Sequence, residues 1–127
     1  MDESKPLFVQ IAEMVEDQIV DGTLREEDKA PSTNEIATFA RINPATAAKG
    51  VNMLVDKGIL YKRRGIGMFV AQGARAQVLG ERKAAFADSY VAPLLAEARK
   101  LGLTAEDIAQ LITERAHPTA SFRSKDI

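Results

Sequence analysis

Apolar residues recur every three or four positions in five stretches of this chain, a spacing typical of helices with one buried face. The helices predicted from it cover residues 6–21, 33–40, 44–57, 74–101 and 105–115. Between the third and the fourth, residues 61–70 carry strand-forming side chains on both sides of Gly65 and Gly67, which permit positive φ at a hairpin tip. The pattern therefore predicts a mostly α fold with one small β-hairpin.

The first predicted helix, between Pro6 and Gly22, has an apolar stripe on one face and carboxylates on the other. The stripe consists of Phe8, Ile11, Ala12, Val15 and Ile19. The carboxylates expected to face water are Glu13, Glu16, Asp17 and Asp21. Because they lack a neighbouring histidine or nucleophile, a solvated helix surface explains them better than the acid–base pair of an enzyme.

The second and third helices each begin at a capping signal. Ser32 precedes Glu35 by three residues, the spacing at which hydroxyl and carboxylate satisfy each other's backbone amides. Asn43 is a good N-cap residue, and Pro44 suits the first helical position. The apolar face expected for the second helix is Ile36, Ala37, Phe39 and Ala40. The buried stripe expected for the third is Ala47, Val51, Leu54 and Val55.

Two capped helices, a tight turn and a basic hairpin in this order outline a winged helix-turn-helix. The third helix would be the recognition helix, because small and polar side chains on its outward face let the backbone approach another surface closely. These side chains are Ala45, Thr46, Ala48, Lys49, Asn52 and Asp56. In such folds the loop from Arg25 to Ala30 often supplies a short extra strand beside the wing, and Leu24 is placed to reach the core.

The formal net charge of −1 by itself argues against a nucleic-acid partner, but its distribution reverses that conclusion. Residues 1–40 hold ten acidic and three basic side chains (net −7), and residues 66–127 hold seven acidic and eight basic (net +1). Residues 41–65 hold one acidic and six basic (net +5). A charge run is usually a solvated face, yet this one coincides with the predicted recognition helix and wing, where a phosphate backbone would be met.

Composition argues against several other classes of protein. The 127 residues fit one compact unit or a small domain with an appendage. No apolar run is long enough to cross a bilayer and Met1-Asp2-Glu3 does not resemble a signal peptide, so a cytoplasmic location is expected. Cysteine is absent, and the single histidine, His117, has no partners at metal-ligand spacing. We therefore expect no metal and no cofactor.

Several ordered motifs span roughly residues 5–71. They are Pro6-Leu7-Phe8 with Gln10-Ile11-Ala12, Asp21-Gly22, Pro31-Ser32 with Glu35-Ile36-Ala37, Asn43-Pro44-Ala45-Thr46-Ala47, and Arg64-Gly65-Ile66-Gly67-Met68-Phe69-Val70. Together they resemble the DNA-binding domain of the GntR family of bacterial transcription regulators. The Asn-Pro start of the recognition helix is similar to that of the YtrA-like branch.

The resemblance implies a DNA-binding repressor. Many family members have Arg where this chain has Asn34, Pro44 and Ala48, so the attraction to DNA would shift to the remaining basic residues. The DNA-binding set expected on this basis is Ser32, Asn34, Arg41, Asn43, Ala45, Thr46, Ala48, Lys49, Lys62, Arg63, Arg64, Gly65, Ile66 and Gly67.

Residues 73–116 are predicted to form a two-helix dimerisation segment, following a winged domain of residues 1–72 and preceding a flexible tail of residues 117–127. The first helix should bend at Pro93, which lacks an amide hydrogen, and the second is capped by Thr104. Two helices cannot bury this much apolar surface alone, so pairing with a second copy is preferred over folding back on the winged domain. The YtrA-like resemblance implies the same arrangement. The dimerisation residues would be Val78, Leu79, Phe86, Tyr90, Leu94, Leu101, Ile108, Leu111 and Ile112.

Two functions follow from these patterns. The first is a homodimeric repressor that binds a palindromic double-stranded DNA operator, with residues 44–57 in the major groove and a basic wing at residues 61–70. The alternative is a winged-helix protein-interaction module without specific DNA binding, supported by the near-neutral charge and the absent arginines. Phe86 and Tyr90 are compatible with a pocket for a small-molecule effector, although aromatic residues at helical spacing are usually core. An enzyme is not expected, because no catalytic constellation is present.

Overall fold

The computed structural model describes residues 4–117, which contain six α-helices and one two-stranded antiparallel sheet. The elements are α1 (Leu7–Val20), α2 (Thr33–Ala40), α3 (Pro44–Asp56), β1 (Leu60–Arg63), β2 (Gly67–Val70), α4 (Ala74–Phe86), a π-helical stretch (Ala87–Val91), α5 (Ala92–Lys100) and α6 (Ala105–Ala116). The prediction of a mostly α fold with a small β-wing is confirmed. Apart from His117, the predicted tail lies outside the described residues. No helix within this range combines the length and apolar character needed to cross a bilayer.

The chain divides into two compact units at Arg82, later than the boundary expected after residue 72. Ala74 and Val78 of α4 are fully buried in the core of the first unit, called here the winged unit. Val78 is therefore not available to the dimerisation face predicted from the sequence. Its spacing matched the apolar stripe of the C-terminal helices, but the first turns of α4 pack on the winged unit instead.

Helices α1 and α3 supply more buried residues to the core of the winged unit than any other element. The apolar stripe of α1 is buried as predicted except at Phe8, which is only partly covered. On α3 the buried residues are Ala47, Gly50, Val51 and Leu54, while Val55 is half-buried. Gly50 lets the two helices approach closely, because a Cβ atom there would lie 2.7 Å from the carbonyl oxygen of Phe8.

Helix α2 begins at the predicted capping box. The Ser32 hydroxyl accepts a hydrogen bond from the Glu35 amide (3.0 Å), and the Glu35 carboxylate accepts one from the Ser32 amide (2.8 Å). Hydrogen bonding to this carboxylate, first from the Ser32 amide and then from the Ser32 side chain, lowers the pKa of Glu35. The prediction that Phe39 faces the core is wrong, since its side chain is 80% exposed. Phe39 lies only about 60° around the helix from the buried Ile36, but the neighbouring elements do not extend far enough to cover its side chain.

The prediction that the acidic face of α1 is fully solvated is wrong at Glu16. Its side chain is only 8% exposed, with the Lys57 ammonium 3.2 Å and the Arg82 guanidinium 3.5 Å from its carboxylate oxygens. The surrounding elements α3 and α4 cover it, and these neighbours are remote in sequence. Burial opposes the charge on Lys57, but hydrogen bonds to Glu81 and Glu16 outweigh it, so the pKa of Lys57 is raised. One carboxylate thus ties α1 to the end of α3 and to α4.

Replacing this carboxylate by an amide tests its structural role. We expect Glu16→Gln to lower the free energy of unfolding by about 1–3 kcal/mol, because Lys57 and Arg82 lose a charged, largely buried acceptor. Urea denaturation measures the change. Glu13→Gln is the matched control, since Glu13 pairs with Lys5 at the surface and should change stability by about 1 kcal/mol or less. Equal losses in the two variants would contradict the role assigned to Glu16.

The wing is the antiparallel pair of β1 and β2, with Leu60 opposite Val70 and Arg63 opposite Gly67. The loop before α2 runs along the other edge of β2, where a short extra strand was expected, but it forms an isolated β-bridge rather than a strand. The Glu27 amide donates to the Val70 carbonyl (2.7 Å), the Ala30 amide donates to the Met68 carbonyl (2.8 Å), and Lys29 forms a single bridge with Phe69. Leu24 is buried in the core, as predicted.

In the C-terminal unit, the single helix predicted for residues 74–101 is interrupted by a π-helical stretch at Ala87–Val91, just before Pro93. Pro93 has no amide hydrogen and its ring crowds the preceding turn, which a wider turn relieves. The second helix, α6, begins at a capping box of Thr104 and Asp107, as predicted.

Much of the apolar surface of the C-terminal unit faces solvent. Among its described residues, Ala98 and Ile108 are the buried ones. The exposed large apolar residues are Phe86, Tyr90, Val91, Leu94, Leu101, Leu111 and Ile112. The interpretation of Phe86 and Tyr90 as core is therefore wrong within one chain: their rings contact each other, with centroids 5.4 Å apart, but both are more than half exposed.

Candidate nucleic-acid interface

The outward face of α3 is accessible to solvent, and a shallow groove runs along it. Ala45, Lys49, Asn52 and Asp56 are exposed, and Thr46 and Ala48 are half-buried. The groove is lined by Phe8, Ala45, Ala48, Lys49, Asn52, Met53 and Asp56. The structure therefore brings together three of the predicted contact residues, Ala45, Ala48 and Lys49, and adds Phe8, which the sequence pattern assigned to the core.

Two other predicted contact residues, Ser32 and Asn43, also serve as helix caps. The Ser32 hydroxyl oxygen accepts from the Glu35 amide, and the Asn43 carboxamide oxygen accepts from the Ala45 amide at 2.7 Å. Both residues are exposed, as is Asn34. Their engaged oxygens leave the Ser32 hydroxyl hydrogen and the Asn43 amide hydrogens for a ligand.

The turn between α2 and α3 is built around Arg41. This residue has φ +58°, a left-handed conformation uncommon for a side chain other than glycine. Its amide and that of Ile42 both donate to the Ala37 carbonyl, which closes the turn. The Arg41 side chain is exposed beside the start of the recognition helix.

Three consecutive cations of the wing, Lys62, Arg63 and Arg64, lie in different environments. The Arg63 guanidinium lies 4.3 Å from the ring centroid of Phe69 and donates to the Tyr61 hydroxyl at 3.1 Å. It also lies 3.6 Å from the Glu27 carboxylate, which accepts a hydrogen bond from Tyr61. Successive strand residues point to opposite faces, so Lys62 lies on the other side of the wing. Arg64 is exposed at the tip.

The wing tip depends on glycine for its shape. Gly65 has φ +77° and Gly67 has φ +139°, conformations that side chains rarely adopt. A Cβ atom on Gly67 would also lie 2.9 Å from the Lys29 side chain. Between the two, Ile66 presents an apolar side chain that is 56% exposed. The tip therefore offers an apolar group flanked by backbone that can approach a surface closely.

Carboxylates neutralise some of the six basic residues between positions 41 and 65. Lys57 is bound by Glu16 and by Glu81, whose carboxylate oxygen lies 2.7 Å from the ammonium nitrogen. Arg63 is paired with Glu27 as described above. The remaining cations, Arg41, Lys49, Lys62 and Arg64, are exposed, and none of them has a carboxylate within 4 Å among the described residues. These four are called the unpaired cations below.

Residues 7–70 match the model of the family described as bacterial regulatory proteins, gntR family. The HTH-type transcriptional regulator YhcF of Bacillus subtilis is 31% identical over 107 residues, covering 84% of this chain and 87% of that protein. The HTH-type transcriptional repressor YtrA of the same organism is 28% identical over 111 residues, covering 87% and 85%.

Solved structures agree with these relatives. A GntR family protein from Bacteroides thetaiotaomicron matches with a TM-score of 0.77 and 29% identity, covering 90% of this chain and 99% of that chain. The DNA-binding domain of AraR, in complex with operator ORX1, matches with a TM-score of 0.51 and 30% identity over 56% of this chain and 87% of that chain. The resemblance noted in the sequence is confirmed, and the chain belongs to the GntR family of bacterial transcription regulators.

Proposed function

We propose that this regulator is a homodimeric repressor that binds a palindromic DNA operator, with α3 in the major groove and the wing on the neighbouring backbone or minor groove. The observation that carries the proposal is the set of unpaired cations on the turn, the recognition helix and the wing. Because bacterial DNA lies in the cytoplasm, the proposed site of action is cytoplasmic. The family consists of regulators rather than enzymes, so no reaction is proposed.

The unpaired cations supply the sequence-independent part of binding. Each exposed cation that neutralises a phosphate releases a condensed counterion, which makes affinity fall steeply with salt. Lys57 and Arg63 contribute less to this term, because nearby carboxylates already compensate them. The small residues of the α3 groove, Ala45 and Ala48, would let the helix backbone approach the base edges, and Thr46 and Lys49 would make the polar contacts.

The exposed apolar surface of the C-terminal unit supports the homodimer. A single chain leaves Leu94, Leu111 and Ile112 each at least 40% exposed. Two symmetric copies that cover this surface would carry two recognition helices, which matches the two half-sites of a palindrome. The similarity to YtrA, named a repressor, extends over 87% of this chain and so includes most of this unit.

Neighbouring arginines on the wing provide a matched test. Arg64→Gln should lower the slope of log affinity against log salt by roughly 0.9, the value for one lost phosphate contact. Arg63→Gln should leave that slope nearly unchanged, because the Glu27 carboxylate already compensates the charge of Arg63. Fluorescence anisotropy with a random-sequence duplex over a salt series measures both. Equal changes for the two variants would contradict the division of the wing into paired and unpaired cations.

The alternative of a protein-interaction module makes a different prediction for the unmodified protein. A regulator with four unpaired cations should bind random duplex measurably at low salt and lose that binding as salt rises. A module without DNA binding should show no such association. The same salt series on the wild-type protein therefore separates the two functions before any variant is made.

A further inference from the structure

The geometry points to Phe8 as a positioning residue that holds the Lys49 ammonium over the outward face of α3, where it would meet a DNA phosphate. The ammonium nitrogen of Lys49 lies 4.1 Å from the centroid of the Phe8 ring. Both side chains line the same groove. This inference rests on the proposed function and adds a residue of α1 to the interface.

The close packing of α1 on α3 places the ring. At Gly50 the two helices approach until a Cβ atom would lie 2.7 Å from the Phe8 carbonyl oxygen and 3.0 Å from the Ile11 side chain. Lys49 precedes this contact point by one residue. The register of the two helices therefore sets the Phe8 ring beside Lys49, and the ring is only partly covered by the core.

An aromatic partner leaves the charge of Lys49 available. The ring face attracts a cation through its quadrupole without neutralising the charge. A carboxylate, such as those that hold Lys57, would compete with a phosphate for the same ammonium. Ordering a lysine side chain also lowers the conformational entropy that binding must remove. Phe8 therefore orders the ammonium at the interface and leaves its positive charge for DNA.

A double-mutant cycle tests this role, with random-sequence duplex at low salt as the probe. We expect Phe8→Leu to weaken binding about 2- to 10-fold, the cost of ordering one flexible side chain on binding. In a Lys49→Met background the same change should have no further effect. Phe8→Tyr, which keeps the ring, should bind like the wild type. Equal losses in both backgrounds, or no loss from Phe8→Leu alone, would overturn the inference.

A second measurement examines the contact without DNA. Ring currents should shift the ε-methylene protons of Lys49 upfield in the NMR spectrum of the full chain, and Phe8→Leu should abolish the shift. If the shift is present but the wild type does not bind duplex, the proposed function fails and the positioning role falls with it. If the wild type binds duplex and the shift is missing, the inference alone is wrong.

Discussion

Gly50→Ala should destabilise the protein by about 1–3 kcal/mol, even though alanine is the better helix former. Alanine in a helix interior gains up to about 1 kcal/mol over glycine. At this position, however, the added methyl group would lie 2.7 Å from a backbone oxygen of α1 and 3.0 Å from Ile11. Backbone cannot yield as a flexible side chain does, so α1 and α3 must separate and lose core contacts.

Gly80 supplies the matched control in the same chain. It also lies inside a helix, α4, but a Cβ atom there would have no neighbour within 4 Å. Gly80→Ala should therefore raise the free energy of unfolding by up to about 1 kcal/mol. Urea denaturation of both variants gives the comparison. Two changes of the same sign would contradict the close approach of α1 and α3 at Gly50.

Leu111→Asp should reduce affinity for an operator with two half-sites by about 100-fold or more. This is the affinity gained when two binding sites are linked, and it is lost when the subunits bind independently. Leu111 lies in an apolar groove of the C-terminal unit with Leu94, Ile108 and Ile112. If a second copy covers this groove, a charged side chain buried in it would oppose association even beside Arg115, because the desolvation of an ion pair can cost more than the pairing gains. Sedimentation velocity should show a monomer, while binding to random duplex per subunit should change little.

Thr113→Asp places the same charge on the opposite face of α6. Thr113 is exposed and lies two residues from Leu111, about 200° around the helix. We expect this control to remain a dimer and to keep operator affinity. A dimeric Leu111→Asp protein with wild-type affinity would show that the proposed subunit contact does not involve this groove.

The sequence predicted the local features of the fold well. The capping boxes at Ser32 and Thr104 and the Asn43 cap are present because they depend on hydrogen bonds within one helical turn. The helical periods of α1 and α3 identified most of the residues that these two helices bury, because a repeat of 3.6 residues determines which side chains share a face. The order of helices, turn and hairpin was sufficient to indicate the winged helix-turn-helix before any contact between elements was known.

The errors arose where the partner of a residue is remote in sequence. Glu16 is paired with Lys57 and Arg82, which lie 41 and 66 positions away, so no local pattern indicated its burial. Val78 has the spacing of the C-terminal stripe but packs into the winged unit. Phe39 satisfied the apolar pattern of α2 although the neighbouring elements leave it uncovered.

The same limit applied to the candidate interface. The sequence indicated where the basic segment lies, but it did not indicate which of its six cations are paired with carboxylates. Whether a cation is paired depends on Glu27 and Glu81, which tertiary structure brings to Arg63 and Lys57. The position of Phe8 beside Lys49 likewise depends on how α1 packs against α3.

The DNA-binding surface proposed for this protein consists of the unpaired cations. The salt dependence of duplex binding tests this surface in a variant in which Arg41, Lys49, Lys62 and Arg64 are replaced by glutamine. With the fold checked by circular dichroism, we predict that the slope of log affinity against log salt falls by roughly 3 to 4 relative to the wild type. A slope equal to that of the wild type would show that these four side chains do not contact the phosphates.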